Sequence, residues 1–448
     1  MKRFVYRALR IVSALDHWLR ERLTPAGWLA LGAAGAAAAA GLDTNQTVTY
    51  RAFTFLTALL DLSYVVSLFF RARLDAKRDL PRYATAGERC VYRVTVANRG
   101  TRSLAGASVL ERFRDPRPGF EAWKQTRDPG EERRNWWDRT VGYFRWRWQI
   151  ERRLPRDVER GDLAPLNPGE RQELKLAFTP RRRGRIELSG LTIGRPDPLG
   201  LVQGLARVPL SAQLIALPRR YRLPDIALPG RRKFQPGGVS LSVSIGDSEE
   251  FLALRDYRPG DPLQRVHWKS FARTGRPVVK EYQDEFFERH ALLLDTGSLA
   301  GEDAAFEDAV ALAASFVYTI DTHECLLDLL FVSADARHPG VGAYTAGRGQ
   351  LQSQHMLEVL AAVGPSSPAA FSALARAVVA RRESVSSAIL ILLGWDEERR
   401  KLASALQASG AEVRGLLVCD KKAPQHDLPA WLVTLHPGEI EAGLAKLQ

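Results

Sequence analysis

Two long apolar runs lie near the N-terminus and are separated by a short polar connector. The run at 24–42 has no charged residue, and the run at 52–70 has one, Asp61. About 20 apolar residues are enough for a helix to cross a bilayer, so the pattern predicts a two-helix transmembrane hairpin over these two runs. An Ala-rich helix buried in a folded domain is the alternative for the first run, because alanine is only weakly apolar.

Basic residues flank both runs and set the predicted orientation within residues 1–80. Six Lys or Arg residues precede the first run, and four follow the second. Because Lys and Arg accumulate on the cytoplasmic side of spans, we expect both termini and the soluble domains in the cytoplasm. Residues 1–23 are also predicted to form a basic amphipathic helix on the membrane surface. A cleaved signal peptide is the competing interpretation, since small residues crowd 36–40.

The acidic residue inside the second predicted span has two explanations. An ionisable group within a span is by default a sign of a functional site, which would apply to Asp61. Alternatively, Asp61 makes a polar contact with the first helix, whose Gly32 and Gly35 would allow the two helices to approach closely.

From residue 81 to 217 the pattern changes to short runs of alternating apolar and polar residues. Examples are CVYRVTVANRG at 90–100 and RQELKLAFTP at 171–180. Such short strands, punctuated by turn residues, predict an antiparallel β-sandwich-like domain. An insert at 121–162 interrupts the pattern and combines five tryptophans with many arginines. Three interpretations stay open for this insert: a solvated helical segment, a contact with the membrane or a partner, and stacking on nucleic acid bases.

Strand and helix patterns alternate over residues 286–448. Four nearly continuous apolar runs, HALLL, CLLDLLFVS, SAILILL and EVRGLLV, are separated by stretches with helical spacing. Alternation of this kind predicts an α/β domain with a parallel sheet that is covered on both faces. Ligands of such sheets bind at the carboxyl ends of the strands, and Asp295 and Asp396 follow two of these runs.

Composition and charge narrow the range of functions only slightly. The 448 residues have a net charge of +13, which fits an acidic partner, a membrane surface or cytoplasmic flanks of spans. The three cysteines form no CxxC pair, which argues against a zinc site or a disulfide framework. Because the sequence also has no phosphate-binding loop, GxSxG elbow or HExxH motif, no catalytic residue and no enzymatic activity are predicted.

The linking segment 218–285 ends in a dense run of charged and aromatic residues. Residues 255–273 contain the elements R-x-Y-x-x-G-D, R-x-x-W-K and A-R. This pattern resembles the signature of the DUF58 family of membrane proteins. The stretch 182–202, which contains D-P-x-G-L, is similar to another element of the same family.

The resemblance implies a von Willebrand factor A-like fold for 286–448. It also implies that a MoxR-type AAA+ ATPase and other envelope proteins are partners, but it transfers no catalytic residue. Related A-domains hold a divalent cation with D-x-S-x-S, whereas this chain has DTGSL at 295–299. A metal-free interaction surface is therefore preferred over a degenerate site for Mg²⁺ or another divalent cation. The candidate ligands of such a site are Asp295, Thr296, Ser298 and Asp396.

The signature residues are interpreted either as a structural brace or as a docking surface. Their alternating charges would form an ion-pair network that holds an irregular segment on the edge of the sheet, with Tyr257 and Trp268 as apolar anchors. The same network would also present a surface to a partner. The candidate binding residues are Arg255, Asp256, Tyr257, Gly260, Asp261, Arg265, Trp268, Lys269 and Arg273.

Together these features predict a membrane-anchored cytoplasmic adaptor or assembly factor that acts through protein–protein contacts. The family resemblance implies that its membrane is the bacterial inner membrane and that its partner is a MoxR-type ATPase. An envelope-related enzyme that uses the strand-end aspartates is one alternative, and a nucleic-acid-binding protein is another. We expect no cofactor and no nucleic acid.

Overall fold

The computed structural model describes residues 2–40, 47–128, 130–224, 250–261, 263–283, 288–297, 303–319, 325–333, 340–346, 350–419 and 428–445. These residues form an N-terminal group of helices, a two-sheet β unit, a short hairpin and a six-stranded α/β unit. The multidomain organisation with both helices and sheets is therefore confirmed.

Three helices precede the first strand: α1 (Lys2–Arg22), α2 (Pro25–Ala40) and α3 (Thr47–Leu68). Within the described residues, one helical stretch, Val48–Leu68 of α3, has the length and apolar composition needed to cross a membrane. The apolar helix α2 has 16 residues. At about 1.5 Å per residue such a helix is about 24 Å long, which is less than the ~30 Å of a hydrocarbon layer.

The predicted pair of spans therefore differs from the structure in its limits and in its packing. The second apolar helix begins at Thr47 instead of residue 52. The helix α2 packs along α3, but a β-carbon added at Gly32 or Gly35 would meet no atom within 4 Å. These glycines are therefore not points of close approach, and Asp61 is exposed on α3.

The β unit consists of two sheets with a common core. Its strands are β1 (Leu74–Asp79), β2 (Tyr83–Thr85), β3 (Cys90–Asn98), β4 (Ser108–Phe113), β5 (Arg160–Asp162), β6 (Arg171–Phe178), β7 (Gly184–Pro196) and β8 (Gln203–Leu217). The sheet orders are β1-β3-β6 and β2-β8-β7-β4-β5, antiparallel except for β2 with β8. Val94 and Phe178 of the first sheet and Val109 and Ile193 of the second are fully buried in one cluster. The first strand begins seven residues before the predicted domain boundary at 81.

The insert between β4 and β5 folds into short helices. They are α4 (Phe120–Gln125), α5 (Trp136–Val141) and α6 (Tyr143–Arg153). Trp123 and Trp146 are each 2% exposed, and their rings lie 5.9 and 5.5 Å from the Tyr6 ring of α1. Two tryptophans of the insert thus build a small core with α1, whereas Trp136 and Trp137 are exposed.

A two-stranded antiparallel hairpin follows, where the sequence predicts an irregular segment. Its strands are β9 (Glu250–Asp256) and β10 (Val278–Gln283), and the helix α7 (Trp268–Thr274) lies in the connection between them. The hairpin is stabilised locally by the buried side chains of Val266 and Val279, which also pair through backbone hydrogen bonding.

The α/β unit contains a mainly parallel sheet. Its strands are β11 (Glu288–Leu294), β12 (Cys325–Ser333), β13 (Gly340–Ala346), β14 (Ser387–Leu392), β15 (Glu412–Val418) and β16 (Leu432–Leu435). Its helices are α8 (Asp303–Thr319), α9 (Gln350–Ala362), α10 (Phe371–Val379), α11 (Glu397–Ala408) and α12 (Ile440–Leu444). The order is β13-β12-β11-β14-β15-β16, and only β13 is antiparallel to its neighbour.

Alternate residues of the central strand β11 face opposite layers of helices. Leu292 and Leu294 pack with α8, α9 and α12, whereas Ala291 and Leu293 pack with α10 and α11. The four predicted strands are all present, and β13 and β16 add two that the sequence does not predict. The carboxyl end of β11 therefore lies in the middle of the sheet, covered on both sides.

The turn between β6 and β7 joins the β unit to the α/β unit. The guanidinium of Arg182 donates to Glu307 at 2.6 Å, and Arg183 forms a second ion pair with the same carboxylate. Arg183 also donates to the carbonyl oxygens of Leu360 and Val363 at 3.0 and 2.6 Å. This arginine-rich turn is thus a clamp between the two units.

Candidate functional site

The strand-end aspartate lies where the sequence predicts it, at the carboxyl end of β11. Asp295 is 1% exposed. Its Oδ1 accepts the N–H of Gly297 at 2.9 Å, and its Oδ2 accepts the N–H of Leu393 at 3.2 Å. Because Leu393 directly follows β14, the carboxylate bridges the ends of two adjacent strands.

The residue that completes this site is Arg399 of α11, which the sequence analysis does not single out. Its Nε and Nη2 donate to Oδ2 of Asp295 at 2.8 and 2.5 Å, and its Nη1 donates to Asp396. Asp396 also caps α11 by accepting the backbone N–H of Arg399 at 3.0 Å. The guanidinium stacks on the ring of Phe371 at 4.3 Å. The two candidate metal-ligating carboxylates therefore converge on a guanidinium.

This arrangement does not fit a divalent cation. Arg399 supplies a fixed positive charge between Asp295 and Asp396, which is where the cation would have to bind. The hydroxyl of Thr296 is used elsewhere, since it donates to the carbonyl of Val332 at 2.9 Å. Ser298 lies outside the described residues. Within the part of the chain that the structure describes, no group of three or more His, Cys, Asp or Glu could hold a metal.

The electrostatics of Asp295 reflect its enclosure. Burial raises the pKa of this carboxyl above its ordinary value, and the Arg399 guanidinium and the N–H groups of Gly297 and Leu393 act in the opposite direction. These four donated hydrogen bonds favour the ionised carboxylate. Because Asp295 is both enclosed and paired, it does not present a free acid or base to a substrate.

The signature residues form a clamped turn on the β9–β10 hairpin. The guanidinium of Arg255 donates two hydrogen bonds to Asp261, both of 2.7 Å, and the backbone N–H of Arg258 donates to the same carboxylate at 2.8 Å. Hydrogen bonding from Arg255 is the main reason why the pKa of Asp261 is lowered to about 2. Gly260 has φ +108°, a conformation that residues with a β-carbon rarely adopt.

Outside this clamp, the signature segment is largely exposed. Trp268 is 59% exposed and Phe271 is 39% exposed, and their rings pack edge to face with centroids 6.0 Å apart. Leu254 and Leu263 are 42% and 65% exposed. Other exposed signature residues are Asp256, Lys269 and Arg273.

Of the two apolar anchors in the brace interpretation, one is exposed in the structure. Trp268 points outward, and the buried anchors are Val266 and Val279. Tyr257 is half-buried. Arg265 ends a short 3-10 turn, and its side chain is outside the described part of the structure.

The D-P-x-G-L motif forms a tight loop between β7 and β8. Oδ1 of Asp197 accepts the N–H groups of Leu201 and Val202 at 2.8 and 2.9 Å, and its Oδ2 accepts the N–H of Leu199 at 3.0 Å. Gly200 has φ +72°. The carboxylate of Asp197 therefore holds the backbone of the whole loop.

This loop holds the start of the helix α2. The hydroxyl of Thr24 donates to the carbonyl of Gly200 at 2.5 Å, and the N–H of Thr24 donates to the carbonyl of Leu201 at 3.1 Å. A β-carbon at Gly27 would lie 2.1 Å from the carbonyl oxygen of Leu201, so only glycine fits there. The second family-like motif is thus the joint between the apolar helices and the β unit.

Comparisons with known proteins add little to this geometry. No protein-family model matches the chain. The uncharacterised protein YeaD from Bacillus subtilis is 28% identical over 148 residues, which is 33% of this chain and 35% of that protein. The chain thus matches about a third of that relative's length.

Two solved domains are similar to the chain over a third of its length. One is a CARDB domain from Pyrococcus furiosus, which is 14% identical over 32% of this chain and 91% of that domain, with a TM-score of 0.17. The other is a PapD-like domain of human CEP192, which is 16% identical over 32% of this chain and 87% of that domain, with a TM-score of 0.16. These likenesses are too slight to support an argument about fold or function.

Proposed function

We propose that this protein is a membrane-anchored cytoplasmic adaptor or assembly factor that docks a partner protein through its β9–β10 hairpin. The observation behind this proposal is a set of exposed apolar and basic side chains on the hairpin, called here the hairpin surface. It consists of Leu254, Leu263, Trp268, Lys269, Phe271 and Arg273.

The composition of the hairpin surface is typical of a docking site. Trp268 and Phe271 lie one turn apart on α7 and expose their rings together. Exposed apolar side chains that are rimmed by polar residues are typical of interaction sites. Tryptophan is also among the residues that contribute most to binding energy when a partner covers them. The clamp between Arg255 and Asp261 holds the neighbouring turn in one conformation, which reduces the entropy lost on binding.

The charge of the hairpin favours an acidic partner surface. Residues 250–283 contain seven Lys or Arg and four Asp or Glu. Complementary charge increases the rate and the specificity of association more than its affinity. The resemblance to the DUF58 family supports a MoxR-type AAA+ ATPase as this partner. The same resemblance supports a von Willebrand factor A-like fold for the α/β unit, whose parallel strands and strand-end Asp295 are compatible with it.

The membrane part of the proposal is a two-helix hairpin with both ends in the cytoplasm. Its support is the length of α3, the packing of α2 along α3 and the excess of Lys and Arg on both flanks. The alternative of an envelope enzyme has less support, because the carboxylate that it requires, Asp295, is enclosed and paired with Arg399.

Affinity purification of the full-length protein from membranes tests this function. We expect an AAA+ ATPase to co-purify with the wild type and with the control Lys401→Glu, a surface change on α11 where the side chain is 76% exposed. Trp268→Ala should reduce the recovered ATPase on the order of 30-fold, which corresponds to a hot-spot loss of about 2 kcal/mol. Absence of any enriched ATPase, or equal recovery with Trp268→Ala, would contradict the proposal.

A further inference from the structure

The amphipathic helix α1 uses one of its sides to contact the rest of the chain. The ring of Tyr6 packs against the core of the insert. The guanidinium of Arg117 donates to the carbonyl of Ser13 at 3.3 Å, and Glu21 lies 3.6 Å from Arg207 of β8. This side of α1 therefore faces the β unit and its insert.

Another side of α1 is apolar and exposed, and we call it the apolar stripe. It consists of Phe4, Ile11, Val12, Leu15 and Trp18, which are 77%, 68%, 61%, 54% and 38% exposed. Their spacing places them along one side of a helix. A helix on the surface of a soluble protein normally turns such a side towards the core, whereas Phe4, Ile11, Val12 and Leu15 of this stripe are each more than half exposed.

Contacts at the end of α1 show on which side of the molecule the stripe lies. The ring of Trp18 packs edge to face on Tyr64 of α3, with centroids 5.7 Å apart. The guanidinium of Arg22 lies 5.6 Å from the centroid of each of these rings. Tyr64 is one turn before the last residue of α3, Leu68. The stripe therefore continues onto the end of the helix that is apolar enough to cross a membrane.

Trp, Tyr and Arg at the end of an apolar helix are typical of the boundary between lipid and water. If α3 crosses the bilayer, Trp18 and Arg22 lie at that boundary, and the rest of α1 extends along it. We therefore propose that α1 lies in the membrane interface with its apolar stripe in contact with lipid. This inference rests on the membrane anchoring that the proposed function includes.

The same placement extends, within this proposal, to the helix α5 of the insert. Its helix α5 lies against α1, and Trp136 and Trp137 at the start of α5 are 69% and 60% exposed. The amphipathic indole ring is suited to the headgroup region. The proposal assigns these two exposed tryptophans to lipid, whereas Trp123 and Trp146 of the same insert are buried against Tyr6 of α1.

Basic residues favour an anionic bilayer over an apolar protein as the occupant. Lys2, Arg3, Arg7 and Arg10 all belong to the first half of α1. Cations next to an apolar stripe bind the phosphates of anionic lipids while the stripe enters the acyl boundary. Together with the joint at Thr24, such contact would hold the β unit against the membrane at two places and fix its orientation.

Spin labels on the full-length chain test this inference. The protein would be placed in nanodiscs of phosphatidylethanolamine and phosphatidylglycerol after its native cysteines are replaced by alanine. Labels at Leu15→Cys and Trp137→Cys report on α1 and α5. A label at Asp16→Cys is the matched control, because Asp16 is next to Leu15 but outside the stripe, with a side chain that is 52% exposed.

Collisions with oxygen and with a water-soluble nickel chelate distinguish lipid from water around each label. We expect the ratio of oxygen to nickel accessibility to be severalfold higher at positions 15 and 137 than at position 16. Equal ratios at positions 15 and 16 would overturn the placement of α1. A water-exposed label at position 137 beside a lipid-exposed label at position 15 would overturn the extension to α5.

The test separates this inference from the docking proposal. It uses purified protein without a partner, so failure to capture an ATPase leaves its outcome unchanged. A wild-type chain that does not enter nanodiscs would overturn the membrane anchoring and the placement of α1 together.

Discussion

Two of the arginine–aspartate pairs in this molecule, one at the end of β11 and one on the hairpin, differ in their surroundings. At the end of β11, the side chains of Arg399 and Asp295 are 6% and 0% exposed. On the hairpin, the side chains of Arg255 and Asp261 are 34% and 16% exposed, and Trp268 nearby is largely exposed. The first pair is enclosed by the α/β unit, whereas the second holds a turn beside an accessible surface.

The difference shows that the same residue types have different uses in the two settings. A buried pair is costly to break, because removing one partner leaves an uncompensated charge away from water. A partly exposed pair contributes little to stability, since water screens it. The strand end is therefore expected to matter for folding and the hairpin surface for binding. A metal-binding A-domain pattern suggests the reverse, because it places the binding site at the strand end.

The largest effect is expected from removing the buried guanidinium. Arg399→Ala leaves Asp295 buried without its partner, so we expect a loss of about 3–5 kcal/mol in the free energy of unfolding. Urea unfolding of the full-length protein in detergent measures this loss. The control is Arg400→Ala. The side chain of Arg400 is 55% exposed, so this change should alter the free energy of unfolding by no more than about 0.5 kcal/mol.

A double variant tests whether the loss comes from the unpaired charge. Asp295→Leu combined with Arg399→Met removes both charges and should recover most of the stability, because apolar residues of similar size can replace a buried pair. Similar stability of Arg399→Ala and Arg400→Ala would show that the strand end is not the closed structural site described above.

An intermediate effect on stability is expected at the joint between the helix α2 and the loop that connects β7 and β8. In Gly27→Ala the new methyl group would lie 2.1 Å from the carbonyl oxygen of Leu201, so the joint must shift at a cost of about 1–3 kcal/mol. The thermal unfolding midpoint should fall accordingly. Gly32→Ala on the same helix meets no atom within 4 Å and should cause no loss. Equal midpoints for the two variants would argue against a tight joint at Thr24 and Gly27.

A smaller effect on stability is expected at the hairpin surface. Trp268→Ala removes a side chain that is 59% exposed, so the free energy of unfolding should change by no more than about 0.5 kcal/mol. The same urea titration measures it. A loss as large as that of Arg399→Ala would instead support the brace interpretation, in which Trp268 anchors the segment.

The smallest effect concerns the titration of the hairpin clamp. The pKa of Asp261 is about 2, below its ordinary value of 3.8. Its contribution to stability is therefore complete above the ordinary value and is lost as the pH falls through about 2. Arg255→Gln should raise this pKa, as measured by carboxyl carbon chemical shifts. Arg258→Ala keeps the backbone N–H that donates to Asp261 and should raise the pKa of Asp261 less. An unchanged pKa of Asp261 in Arg255→Gln would contradict the clamp.

Local patterns predict the main elements well but miss those with weak patterns. The strands β11, β12, β14 and β15 consist of long apolar runs, and each is found near its predicted place. The edge strand β13, with the sequence GVGAYTA, has no such run, and β16 has four residues. Both depend on pairing with a neighbour that local sequence does not reveal.

The candidate site is harder to predict, because burial decides the role of each residue. Arg399, Arg400 and Lys401 are adjacent cations in one helix, and only the first is buried. The one local signal is its position three residues after the capping Asp396. For Trp268 the error runs the other way, because the sequence suggests a buried anchor and the structure shows an exposed ring. Local sequence does not distinguish an exposed tryptophan from a buried one.

Site-specific photo-crosslinking tests the central claim most directly. A photoreactive benzoylphenylalanine replaces Trp268 on the hairpin surface in one version of the full-length protein. In another it replaces Asp396 at the strand end, where the side chain is 54% exposed. Irradiation of cells should give a discrete adduct with an AAA+ ATPase from position 268 and none from position 396. An adduct from position 396 together with none from position 268 would contradict the account.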